Sequence, residues 1–243
     1  MSKKCLVFFS GGKDSFITAC LQVEKDYDVT LIYFNNGSSS NAKNVRLMAE
    51  RIQKRYGADR VHYAGVCPTA GAFSLLRNNL YTVRMCNIAD KYPHMTLSQG
   101  NCLCCQSSMW ICGIAYCLAK DINVISTGYI CTDEFCTGSR LWHKQVKLIA
   151  DQFNIEIEYP VMNRQDWKDN QFSRDLEMLL RGFSNAVLEP KCMIGAEPGI
   201  ALSDAESSLL KFYEDNILQH TRKLIDEHVT IYKNIILGDE AYI

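Results

Sequence analysis

The sequence predicts an α/β protein, a doubly wound and mainly parallel five-stranded sheet followed by a C-terminal helical region. Three observations lead there. Strand-like apolar runs alternate with helix-like stretches from Cys5 to Tyr159. The first run feeds a glycine turn, Ser10-Gly11-Gly12-Lys13-Asp14-Ser15, which opens directly into a helical pattern. After Pro160 the alternation stops and only helical patterns remain. Such alternation argues for parallel strands covered by helices, with ligands bound beyond the strand C-termini. The division falls between residues 1–160 and residues 161–243.

The elements follow in order. Cys5–Phe9 reads as strand one and Asp14–Lys25 as the helix after the glycine turn. Asp28–Phe34 reads as strand two, ending in Asn35-Asn36-Gly37. Asn41–Tyr56 is helical, with Asn41 placed to cap its start and Gly57 to stop it. Arg60–Ala64 is a short third strand, Ala70–Ala89 mostly helix and Lys91–Gly100 a loop. Cys104–Lys120 is an apolar helix and Asn123–Thr127 strand four, with Gly128-Tyr129 at its end. Leu141–Phe153 is amphipathic and Ile155–Tyr159 is strand five. Gln165–Arg181 and Ser203–Ile236 are helical, joined by a segment carrying Pro190, Gly195, Pro198 and Gly199.

Composition bounds the function. With 243 residues, 47% apolar and 22% charged, the chain can bury a sizeable core. A formal net charge of −1 leaves no strong basic footprint for extensive nucleic-acid binding. No leader sequence and no apolar run of membrane-spanning length stand out, so the expectation is a cytoplasmic protein without a membrane partner. Twelve cysteines in such a chain point to thiols, metal ligands or catalytic groups rather than structural disulfides.

The glycine turn is a candidate anion site. Two glycines let backbone N–H groups approach a phosphate, and a helix N-terminus favours negative charge. Ser10 and Ser15 add hydroxyls. Lys13 reads either as a phosphate partner or as an exposed turn lysine, and Asp14 either as a magnesium ligand or, more conservatively, as a helix cap. Asn35 opens a polar strand-to-helix turn at the end of strand two.

The second constellation is Asn101-Cys102-Leu103-Cys104-Cys105-Gln106. Cys102 and Cys105 form a Cys-x2-Cys pair at the mouth of a helix, where two thiolates converge on one metal and the helix N-terminus lowers thiol pKa. The spacing also suits zinc or a redox dithiol. Cys192, between Pro190 and Gly195, is the further ligand candidate, with Cys104 a rival within the pair. Cys5, Cys20, Cys112 and Cys117 read as packing, while Cys67 and Cys86 stay open. Arg140, His143 and Lys144 read as a solvated face or as a binding site for an acidic group. Tyr129 is placed to line a substrate pocket, and Trp110, Trp142 and Trp167 read as packing.

The turn has neither Walker-loop spacing nor the spaced glycines of a dinucleotide fingerprint. Ser10-Gly11-Gly12-Lys13-Asp14-Ser15 resembles the SGGxDS motif of the PP-loop ATP pyrophosphatases, the adenine nucleotide alpha-hydrolase-like superfamily. That resemblance implies binding of ATP and Mg2+, cleavage between the α- and β-phosphates, and adenylylation of a substrate. It assigns ATP binding to Ser10, Gly11, Gly12, Lys13, Asp14, Ser15, Asn35 and Gly128.

A glycine loop, a midway Cys-x2-Cys and a lone late cysteine resemble the iron–sulfur branch of tRNA thiolation enzymes. This implies a [4Fe-4S] cluster on Cys102, Cys105 and Cys192, with one iron open. Gly128-Tyr129-Ile130-Cys131-Thr132-Asp133-Glu134 stands where many relatives carry Gly-His-x-x-Asp-Asp. The glycine and second acid are kept, so the catalytic assignment is Asp14, Ser15 and Asp133, with Glu134 as a second carboxylate for magnesium or half of a solvated pair.

The implied activity is adenylylation followed by sulfur transfer to a nucleobase, a tRNA or a small molecule, with a sulfur donor and room for a homodimer. The alternatives are a ligase or amidase of the same fold, using ammonia or an amine with Zn2+ or no metal, and a non-catalytic nucleotide-binding sensor.

Overall fold

A computed structural model describes residues 3–37, 42–85, 88–131, 136–164, 171–184 and 202–238. Five strands, β1 (Lys3–Phe8), β2 (Tyr27–Asn35), β3 (Val61–Pro68), β4 (Val124–Thr127) and β5 (Glu156–Glu158), form one sheet in the order β3-β2-β1-β4-β5. Every pairing is parallel, from Cys5 opposite Val29 on one side to Cys5 opposite Val124 on the other. The helices are α1 (Lys13–Glu24), α2 (Ala42–Tyr56), α3 (Ala70–Met85), α4 (Ile88–Lys91), α5 (Leu97–Lys120), α6 (Arg140–Asp151), α7 (Gln171–Leu180), α8 (Leu202–Tyr213) and α9 (Gln219–Asn234).

The two faces of β1 show why the sheet is doubly covered. Cys5, Val7 and Phe9 enter a core built with α1, α2 and α7. Leu6 and Phe8 enter the opposite core, with α3, α5, α6, α8 and α9. Both sets are buried, so the strand reads as a continuous apolar run, as a central parallel strand must. Phe8 packs edge-on to Phe34 at 4.6 Å and lies 4.8 Å from Trp110. Each such buried ring contributes about 1.5–3 kcal/mol through burial alone.

The strand order reverses between β1 and β4. β1 leads outward through α1 to β2 and β3, whereas β4 returns to the other side of β1. A crevice at such a switch point, beyond the strand C-termini, is where open parallel sheets bind ligands. The loop after β1 and the Gly128-Tyr129 step after β4 both lie there.

Several expectations are corrected. The loop expected over 91–100 is helical from Leu97, because Thr96 caps α5 through a reciprocal capping box with Gln99, a device worth about 1 kcal/mol. The earlier start makes α5 a 24-residue helix with a window of mean hydropathy 1.5, long and apolar enough to cross a membrane, contrary to the sequence reading. Its window is 67% buried inside the fold, in keeping with the core helix it forms here.

β3 runs on to Pro68, past the expected Ala64, with a register irregularity at Leu31/Ile32. Gly65, at φ +104°, lets the Gly238 backbone approach, and Gly238 O accepts from Val66 N at 2.9 Å. Gly57, at φ +98°, ends α2 as read from sequence. Asn41, Cys86, Trp167 and the linking segment with its prolines lie outside the described residues.

Candidate active site

The glycine loop is held by its own side chains. Gly11 has φ +80°, and a Cβ there would come within 3.2 Å of Val45 Cα, so conformation and space both require glycine. Gly12 N donates to Ser10 Oγ at 3.3 Å, and Ser15 Oγ donates to Gly12 O at 3.0 Å. The two serine hydroxyls lie 3.1 Å apart. The start of α1 thus directs backbone N–H groups toward the switch-point crevice, as an anion site requires.

Asp14 is not the cap. Gly12 is the N-cap and no side chain caps the helix. The Asp14 carboxylate, in the first turn, faces Arg174 of α7 at 3.0 Å. Lys13 is not an exposed turn lysine either. Its side chain is 7% exposed and its Nζ meets Asp175 Oδ1 at 2.7 Å. Asp14 Oδ1, Arg174 Nε and Asp175 Oδ1 make these charge contacts without hydrogen-bond alignment.

Asn35 is buried and accepts Gly37 N on Oδ1 at 2.9 Å, which shapes the turn after β2. Gly128 lies against the loop: a Cβ there would fall 2.6 Å from Ser15 N and 2.7 Å from the Asp14 carbonyl carbon. Tyr129, the next residue, donates through its hydroxyl to Gln106 Oε1 on α5. This dipeptide ties the glycine loop on one face of the sheet to the cysteine helix on the other.

The cysteine pair lies inside α5, across its second and third turns, rather than at its mouth. Cys102 and Cys105 are one turn apart and half-buried. Asn36 Nδ2 donates to Cys105 Sγ at 3.0 Å. Cys102 Sγ lies 3.6 Å from Cys136 Sγ, a neighbour that sequence spacing did not single out. Burial raises the Cys136 thiol well above its ordinary range, and the adjacent Cys102 adds to this. Burial also holds the Tyr129 phenol high, helped by Cys136, Cys105 and Cys102.

Cys104 is fully buried and its thiol is pushed up to about 12 by desolvation. Cys5, Cys20, Cys112 and Cys117 are buried, as expected for packing residues. Cys67 is resolved as a core thiol, 3.1 Å from Tyr232 Oη.

Among the described residues no three His, Cys, Asp or Glu side chains gather closely enough to hold a metal ion. Cys192, Asp133 and Glu134 lie outside the described residues. His143, read as one of a solvated basic group, is instead buried between Tyr159 Oη at 3.0 Å and Thr137 O at 2.7 Å, and burial lowers its pKa. Arg140 and Lys144 are exposed on the same helix. Trp110 and Trp142 are buried.

Against this geometry, solved structures give a fold. A 4-thiouridine synthetase–RNA complex with bound ATP superposes with a TM-score of 0.57 at 11% identity, covering 94% of this chain and 53% of the other. This chain therefore spans about half the length of that protein. A predicted subunit of a tRNA methyltransferase from Methanocaldococcus jannaschii matches at TM-score 0.44 and 18% identity, over 88% of this chain and 87% of the other. An NMN synthetase from Francisella tularensis matches at TM-score 0.41 and 10% identity, over 91% and 87%. No family model matches the sequence, and no curated protein matches it. The sheet order and the first of these likenesses show a five-stranded parallel α/β fold shared with that 4-thiouridine synthetase.

Proposed function

We propose that this protein uses ATP to adenylylate an acceptor and then transfers sulfur to the activated carbon. The observation that carries the reading is the Gly128-Tyr129 step, packed on the α1 start at Gly128 and hydrogen-bonded to the cysteine helix through Tyr129. An activating loop and a pair of half-buried thiols thereby share one sheet edge.

In this reading Gly11, Gly12 and the α1 start receive the β- and γ-phosphates, with the Ser10 and Ser15 hydroxyls turning from each other to phosphate oxygens. Lys13 neutralises phosphate charge. Asp14 and Asp133 hold Mg2+, which supplies charge stabilisation to the departing pyrophosphate. Asn35 and Gly128 border the nucleotide. An acceptor oxygen, on a nucleobase carbonyl or a small molecule, attacks the α-phosphate and pyrophosphate leaves. A sulfur nucleophile then forms the C–S bond as AMP departs with the oxygen.

On the sulfur side the described donors are two thiols one helical turn apart, with Asn36 placed to stabilise a thiolate at Cys105. Soft donors of this kind suit iron–sulfur ligation better than magnesium. Cys102, Cys105 and Cys192 would hold a [4Fe-4S] cluster, whose iron supplies a binding position for sulfide. Tyr129 orients α5 through Gln106.

Anaerobic purification tests the reading. About four iron and four sulfide per chain are expected, with sulfur incorporated into an acceptor only when ATP is present. Colourless protein with stoichiometric zinc, or nitrogen incorporation from ammonia, would overturn it.

A further inference from the structure

We infer that α7 is a charge-exchange strap over the glycine loop, and that Arg174 moves from Asp14 to the ATP phosphates when nucleotide binds. The inference rests on the ATP reading above and adds a phosphate-facing residue from outside the loop motif.

Two loop residues of opposite charge are each matched by a neighbour on α7. Lys13 meets Asp175 at 2.7 Å and Asp14 meets Arg174 at 3.0 Å. Exposures of 7% for Lys13 and 16% for Arg174 mean that neither cation is well served by water. A charge so enclosed needs a counter-charge, and in this arrangement α7 provides both. The four groups form two ion pairs of zero net charge at the start of α1, where the ATP reading places the phosphates.

A polyphosphate and a divalent cation cannot enter this set without rearranging it. Magnesium is oxygen-seeking and draws on carboxylates together with phosphate oxygens, so it competes with Arg174 for Asp14. The released guanidinium is adjacent to new phosphate oxygens, for which its forked donors are well shaped. Lys13 likewise turns from Asp175 to phosphate. Asp175 is then left as a carboxylate beside an anion, an unfavourable juxtaposition. Arg174 therefore assists nucleotide binding while Asp175 opposes it, although the two are consecutive on one helix.

The strap does not depend on these pairs for its attachment. Arg181, at its far end, meets Glu24 through Nε at 2.8 Å and Nη2 at 3.0 Å. Phe183 stacks edge-on against Phe16 at 4.8 Å, and Met178 is buried in the same core. Substitution at 174 or 175 leaves this attachment in place.

The test is calorimetric titration of the full chain with Mg–ATP, comparing Arg174→Gln, Asp175→Asn and the site control Ser15→Ala. Arg174→Gln is expected to weaken binding about tenfold, the loss of roughly one charge-assisted contact. Asp175→Asn is expected to tighten it about three- to tenfold, and Arg174→Lys to restore part of the Arg174→Gln loss. A merely structural strap weakens binding in both variants or in neither, and either outcome overturns the exchange. Wild-type protein that binds no Mg–ATP overturns the exchange and the proposed function together. Wild-type binding that Ser15→Ala abolishes, with both α7 variants moving the same way, overturns the exchange alone.

Discussion

The glycine loop and the cysteine pair occupy one edge of the sheet but are held in different ways. The loop is fixed by short-range backbone demands: a left-handed glycine at 11, a serine pair closing over Gly12, and a helix that begins at Lys13. The cysteine pair is fixed by long-range partners. Asn36 reaches Cys105 from beyond β2, Cys136 reaches Cys102 from beyond β4, and Tyr129 reaches Gln106. In the proposed reading the first arrangement receives the ATP phosphates. The second gathers thiols whose surroundings come from three separate segments, which suits chemistry that varies.

The comparison breaks most easily at the loop. Replacing Ser15 by Ala is expected to lower pyrophosphate release from ATP by about a hundredfold or more, the usual cost of removing an oriented donor from developing charge. Release is measured with and without candidate acceptors, and unchanged release would remove the loop from the ATP site.

The link between the regions breaks next. Gly128→Val places side-chain carbon against Ser15 N and Asp14 backbone, an overpacking expected to cost about 1–3 kcal/mol. A lowered urea midpoint together with weakened Mg–ATP binding is expected. Full affinity in this variant would show that Gly128 does not set the loop.

The thiol side is sharpened by alkylation under native conditions. Cys102 and Cys105 are expected to label well before Cys104, whose buried thiol is pushed up to about 12. Equal labelling would contradict the division between site and core.

The smallest effect concerns His143. Burial holds its pKa below the ordinary 6.5, so the folded protein keeps it neutral while the unfolded chain takes up a proton. Stability is full above about pH 6.5 and falls as pH drops below it, by at most about 1.4 kcal/mol per pH unit from this one group. Denaturant midpoints at pH 7.5 and 5.5 are expected to differ less in His143→Gln than in the wild type.

How far each region could be read from the sequence follows the same contrast. The presence and order of the strands, the glycine turn and the Gly57 stop follow from local patterns and were legible, whereas the far end of β3, which runs on to Pro68, was not. The start of α5 was misplaced because the polar Thr96–Asn101 segment disguises a capping box. Burial of Lys13 and the pairing of Asp14 depend on Arg174 and Asp175, some 160 residues away, and no local pattern announces them. Cys136 was missed for the same reason, although its position eight residues after Gly128 places it just beyond a strand end. His143 shares a short stretch with Arg140 and Lys144 but falls on the inner face of α6, a distinction of helical phase that the charge cluster concealed.

The central claim is that activation belongs to the loop and sulfur transfer to the cysteines. It is tested most directly by measuring pyrophosphate release and labelled-sulfur incorporation in the same anaerobic reaction, for wild type, Ser15→Ala and Cys105→Ser. Ser15→Ala is expected to lose both, whereas Cys105→Ser is expected to keep releasing pyrophosphate while incorporating no sulfur. Sulfur incorporation by Cys105→Ser at the wild-type level would contradict the account.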